Sequence, residues 1–115
     1  MEHIYVKKSW GSEEWIVNND EYCGKLLFIN NGKRCSYHYH VLKKETFYCQ
    51  RGKVQIKYSL HDDVEKAECV YLHVGESFEV PRGLRHQMIA LENSTLVEFS
   101  TQHFDEDSYR IIKGD

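Results

Sequence analysis

His38 and His40 stand two residues apart in the stretch Gly32-Lys33-Arg34-Cys35-Ser36-Tyr37-His38-Tyr39-His40-Val41-Leu42-Lys43-Lys44-Glu45. On a strand, successive side chains alternate between faces, so both imidazoles fall on one face and Tyr39 on the other. Glu45 opens the next strand after a short turn and brings a carboxylate beside them. His86 adds a third imidazole from a separate strand, five residues after the lone proline, Pro81. Three neutral imidazoles and one carboxylate make a mixed nitrogen and oxygen donor set. It suits divalent iron, manganese, nickel, copper or zinc and not calcium, which takes oxygen ligands. A single histidine in a β-rich core is commonly a satisfied packing residue. A pair at i and i+2 with an acid nearby makes ligation the competing reading.

These residues need strands to hold them, and the sequence alternates with period two almost throughout. The pattern predicts strands at 4–7, 14–18, 24–30, 35–41, 45–51, 54–59, 68–74, 77–80, 85–90 and 95–101. Turn signals separate them: Asn31-Gly32, Arg51-Gly52, His61-Asp62-Asp63, Gly75-Glu76, Pro81-Arg82-Gly83 and Glu92-Asn93-Ser94. Pro81 falls at a strand end, where no ladder hydrogen bond is lost. Only 104–112 has room for a short helix, with Asp105 as its N-cap. The expected class is all-β, an antiparallel barrel or sandwich with a short C-terminal turn or helix.

Composition narrows the partners. The chain has 115 residues and a net charge of −3, which fits one domain over 1–115 and excludes a basic nucleic-acid footprint. The longest run free of charged and polar residues is Leu26–Ile29, far short of the roughly 20 residues of a membrane span. No signal-peptide pattern precedes it, so a cytoplasmic location is expected. Cys23, Cys35, Cys49 and Cys69 form no C-x-x-C pair and read as free buried thiols of a reducing compartment. Of the remaining histidines, His3, His61, His73 and His103 are not expected to be ligands.

The glycines carry a resemblance. Gly32, His38, His40, Glu45 and Gly52 read G-x5-H-x-H-x4-E-x6-G, and Gly75, Pro81, Gly83 and His86 read G-x5-P-x-G-x2-H. These spacings resemble the two signature motifs of the cupin superfamily. One departure exists: where the second motif usually ends in asparagine, this chain has Ala90. The resemblance implies a small antiparallel jelly-roll β-barrel spanning nearly the whole chain. It also implies that His38, His40, Glu45 and His86 hold one divalent transition metal, such as manganese, iron, zinc or nickel.

Two stretches narrow the branch. Lys8-Ser9-Trp10-Gly11 resembles the P-W-G opening of mannose-6-phosphate isomerase-like cupins, with Ser9 in place of proline, and 97–110 resembles their ending. Fold does not give function, and three readings follow: an isomerase-like enzyme of a small sugar or sugar phosphate, a metal-dependent dioxygenase, or a non-enzymatic binding cupin. An isomerase needs a Lewis acid, a base and, for a phosphate, cations. The base would be Glu45 or Glu98, the latter facing either cavity or solvent. Arg34, Arg82 and Arg85 would meet a phosphate, or stand as surface charges. An oxygenase would instead want an apolar pocket. Tyr37 and Tyr39, opposite the metal face, would supply a homodimer surface.

Overall fold

Period-two patterning becomes eleven strands in a computed structural model that describes residues 1–115. They are β1 (Ile4–Lys8), β2 (Gly11–Asn18), β3 (Cys23–Ile29), β4 (Tyr37–Tyr39), β5 (Glu45–Arg51), β6 (Lys53–Ser59), β7 (Glu68–His73), β8 (Ser77–Val80), β9 (Arg85–Ala90), β10 (Ser94–Ser100) and β11 (Tyr109–Ile112). One sheet runs β1-β2-β3-β10-β5-β8 and the other β11-β4-β9-β6-β7, every pairing antiparallel. No strand pairs across from one sheet to the other. The expected jelly roll is therefore present as a pair of facing sheets whose edges are not joined into a closed barrel.

All ten expected strands form, and the largest difference lies at the C-terminal end. The segment expected as a short helix is a single 3-10 turn, Asp105–Asp107, followed by β11. Tertiary pairing explains this. β11 lays Tyr109 opposite Tyr39 and Arg110 opposite His38, so its backbone groups are satisfied by β4. β4 is in turn shorter than the expected 35–41, because the chain leaves the sheet at His40.

The two inner faces bury Leu27, Ile29, Phe47, Ile56, Met88 and Leu96 against each other. This apolar half of the sandwich positions the polar half. Register places Phe47, Glu98, Lys25 and Trp15 directly opposite one another across β5, β10, β3 and β2. One side-chain step away, Glu45 stands opposite Ser100 and Cys23. The turn after β8 is tied to the histidine segment: the Gly83 N–H, at φ +85, donates to the His40 carbonyl at 2.8 Å. At the departure from the second motif, the Ala90 carbonyl accepts the Gly32 N–H at 2.9 Å, and the Asn93 side chain accepts the Asn31 N–H at 2.8 Å.

Two expectations are corrected. Tyr37 does not lie on a surface: it is fully buried, with its hydroxyl donating to the His61 carbonyl at 2.9 Å. Loop 59–63 covers the outer face of β4 at that point, and Tyr39 stacks on Tyr109 at 5.1 Å between ring centroids. All four cysteines are free, but only Cys23, Cys35 and Cys49 are buried; Cys69 is exposed on β7. No helix is long and apolar enough to cross a membrane.

Candidate metal centre

His38 on β4 and His86 on β9 are direct cross-strand partners, and His40 follows two residues on. Their rings lie 4.4 to 5.6 Å apart, and the three imidazoles place one ligating atom each within 4.8 Å of one another. Glu45 reaches the group from the facing sheet. Its Oε2 is 3.1 Å from His86 Nε2 and 3.3 Å from His40 Nε2.

The fold fixes the orientation of each ring through its other nitrogen. His38 Nδ1 is 3.0 Å from the Ser36 carbonyl, His40 Nδ1 is 3.0 Å from the Asp107 carbonyl, and His86 Nδ1 is 3.0 Å from the Leu84 carbonyl. A carbonyl only accepts, so every Nδ1 carries the proton and every Nε2 presents a lone pair. These lone pairs converge on a carboxylate that also only accepts. His86 Nε2 and Glu45 Oε2 are accordingly buried without a hydrogen-bond partner. Buried acceptors facing one another at this distance are unpaired groups that a shared cation would satisfy. A proton is disfavoured on His38, whose basicity is pushed well below the usual imidazole range by burial and then by the neighbouring His86 and His40. The donor set and its orphaned atoms fit a divalent transition metal.

Glu45 remains ionised in this dry setting. Burial alone would raise its carboxyl, but Lys43, with Nζ at 3.3 Å from Oε1, together with the adjoining His40 and His86 holds it well below the carboxylate range. Burial would equally lower Lys43, and Glu98 and Glu45 together push it above the usual ammonium value. Lys43 Nζ donates to Glu98 Oε2 at 3.1 Å and lies 3.2 Å from His103 Nδ1. The Ser100 hydroxyl donates to the same Glu98 oxygen at 2.9 Å, and His103 Nε2 reaches Asp105 at 3.0 Å.

A cavity of about 450 Å³ opens beside this cluster. His38, His40 and Glu45 line one end, while His86 lies wholly within the wall. Glu98 faces the cavity and not solvent, since it shares the inner face of β10 with Leu96. The lining carries four cations (Lys8, Lys25, Lys43, Arg110) and four carboxylates (Glu13, Glu45, Glu98, Asp105), together with Trp10 and Trp15.

The structure does not bring Arg34, Arg82 or Arg85 to this cavity. Arg34 lies 3.8 Å from Asp115, and Arg82 donates to the Leu42 carbonyl at 2.8 Å. Arg85 pairs with Asp62 at 2.9 Å and packs over the Tyr39 ring at 3.7 Å. Strand alternation accounts for Arg85: its neighbour His86 takes the inner face, so Arg85 takes the outer one. Lys25, Lys43, His103 and Asp107 were not singled out by sequence. Lys25 had a legible signal, since it occupies an inward position of β3 between Cys23 and Leu27. His103 and Asp107 had none, because both act from irregular backbone.

No protein-family profile matches the chain. It is 28% identical over 116 residues to a mannose-1-phosphate guanylyltransferase of Sinorhizobium fredii, covering 95% of this chain and 21% of that one. It is also 28% identical over 113 residues to a D-lyxose/D-mannose isomerase of Thermosediminibacter oceani, covering 80% of this chain and 62% of the relative. The chain thus spans less than two thirds of either relative. Among solved structures it is similar to the capsular polysaccharide assembling protein CapF of Staphylococcus aureus, with TM-score 0.81, 18% identity and coverage of 97% and 34%. KdgF from a Halomonas species superposes with TM-score 0.75, 16% identity and coverage of 92% and 90%. A Bacillus subtilis oxalate decarboxylase follows with TM-score 0.79, 15% identity and coverage of 95% and 30%. These neighbours are cupin-fold proteins, and the present chain has the cupin fold, with a histidine cluster able to hold a metal.

Proposed function

We propose that the protein is a metal-dependent, isomerase-like enzyme acting on a small sugar or sugar phosphate. The observation that carries this reading is the convergence of three imidazole Nε2 atoms and the Glu45 carboxylate at the end of a cavity lined by paired ammonium and carboxylate groups. A dioxygenase of an apolar substrate is the poorer fit to such a lining. Similarity to a D-lyxose/D-mannose isomerase supports aldose–ketose chemistry.

In this reading His38, His40, Glu45 and His86 hold one divalent ion, which when bound supplies a Lewis acid for a sugar carbonyl. Glu98 is the base. Lys43 and Ser100 both donate to its Oε2, which leaves Oε1 free to take a proton from a carbon beside the carbonyl. Lys43 holds Glu98 and Glu45 in fixed relation, and Trp10 and Trp15 offer flat apolar faces to the carbon chain.

Two measurements test this. Elemental analysis of the purified protein is expected to find about one divalent transition metal per chain, lost in the His38→Ala/His40→Ala double variant. In deuterium oxide, the loaded protein is expected to exchange the C2 proton of an aldose or aldose phosphate, followed by NMR over a panel that includes D-mannose, D-lyxose and D-mannose 6-phosphate. Full metal occupancy in the double variant refutes the ligand set, and absence of exchange with every aldose refutes the isomerase reading.

A further inference from the structure

Lys25 is a buried cation whose donors the fold leaves unused. Its residue exposure is 2%, yet it lines the cavity. The nearest carboxylate oxygen, Glu13 Oε1, is 3.8 Å away, beyond hydrogen-bond reach, and is already taken by the Trp15 indole N–H at 2.8 Å. The ammonium sits 4.1 Å from the centroid of the Trp15 ring. Burial pushes Lys25 below the usual ammonium range, and Glu98 opposes this. An ammonium has three N–H donors, and at Lys25 they are open to the cavity with no protein acceptor in hydrogen-bond reach. Lys43, the other buried lysine of the cavity, differs: it donates directly to Glu98.

Place and charge indicate what those donors are for. Lys25 stands two strands from β5, the strand of Glu45, or about 10 Å across the sheet. Between the two ends, charge alternates along one wall: Glu45, Lys43, Glu98, Lys25, Glu13. Each cation has carboxylates on both sides, so the wall has no surplus positive charge to favour an anion. A row of alternating acceptors and donors suits hydroxyl groups, each of which donates one hydrogen bond and accepts others. Trp15 beside the row supplies a flat face for C–H groups.

We propose that Lys25, with Glu13, forms a hydroxyl-binding subsite at the far end of the cavity, which selects open-chain polyhydroxy ligands long enough to reach it from the metal centre. This rests on the sugar reading above and names the class of sugar form that the site takes. A five- or six-carbon chain spans the row, whereas glycerol does not.

The test uses the manganese-loaded protein and ligands that cannot turn over. Titration calorimetry with D-mannitol, D-arabinitol, glycerol and inorganic phosphate is compared between the wild type and Lys25→Met. Mannitol and arabinitol are expected to weaken about tenfold or more in the variant, the scale of one lost hydrogen bond to a charged group. Glycerol binding and metal content are expected to be unchanged. In wild-type protein labelled with 13C-lysine, the Lys25 ε-carbon resonance, identified by its loss in Lys25→Arg, is expected to move with mannitol and not with glycerol. Equal mannitol affinity in Lys25→Met, or a Lys25 resonance that moves with phosphate and not mannitol, overturns the subsite and leaves the metal-dependent sugar reading standing. A wild type that binds none of the polyols and none of the sugars overturns both.

Discussion

Asp107 carries the loop that connects His40 to Glu45, although it is distant in sequence from both. Its carboxylate accepts the backbone N–H groups of Val41 at 2.9 Å, Leu42 at 3.0 Å and Lys43 at 3.0 Å, while its carbonyl holds His40 Nδ1. Burial alone would raise the Asp107 carboxyl, but the N–H donors of Leu42, Val41 and Lys43 hold it below the usual carboxylate range. Asp107→Ala removes the acceptor of all three N–H groups. Val41 and Leu42 are more than half exposed, so water replaces the carboxylate at their N–H groups at a loss of about 0.5–1 kcal/mol each. Lys43 is 3% exposed and its N–H is stranded, for about 2 kcal/mol more. The sum is about 3–4 kcal/mol. With an unfolding entropy near 0.24 kcal/mol/K for 115 residues, that lowers the melting temperature by about 12–17 °C. Loosening the carbonyl contact to His40 also weakens metal binding, by about 10- to 100-fold. Denaturant unfolding of the metal-free protein measures the first effect, and competition with a chromophoric chelator the second. Asp107→Asn, which keeps one acceptor but turns an amide donor toward the loop, is expected to fall between. A loss under about 1 kcal/mol with unchanged metal affinity refutes the role of Asp107 as organiser of the centre.

Two further outcomes follow from the buried charges. Lys43→Met leaves the carboxylates of Glu45 and Glu98 buried without their counter-ion and is expected to cost about 3–5 kcal/mol; adding Glu98→Gln should recover part of that, and a fully additive double variant contradicts the pairing. The His103 imidazole is lowered to about 4 by burial, then by Lys43 and Lys25, against the opposing pull of Asp105. The unfolded chain takes that proton near pH 6.5, so stability is full above this value and is lost as pH falls toward 4. Urea titrations between these limits should show His103→Gln losing about 2 kcal/mol less than the wild type, and parallel pH profiles refute the assignment. His38, lowered in the same sense, contributes equally to both proteins and cancels in the difference.

The sequence by itself determined the strands and the histidine set. Alternation is a local property, and it put His38 and His40 on one face because side chains on a strand repeat every two residues. The turn glycines and Pro81 were equally readable, since positive φ and a missing N–H leave few other residues eligible. Lys25 was written in the same pattern, as an inward residue of an otherwise apolar strand face. Tertiary structure decided the rest. Whether Glu98 faced cavity or solvent depended on which sheet face the core claimed. Arg85, beside the inward His86, followed the same rule and turned away. His103 and Asp107 act from irregular backbone, whose direction no period encodes, and they meet Lys43 and His40 only because β11 pairs with β4 and draws the C-terminal segment across the cavity. Contacts between residues some 60 positions apart arise from sheet order, and sheet order is settled by the burial of both faces together, beyond the reach of any local pattern.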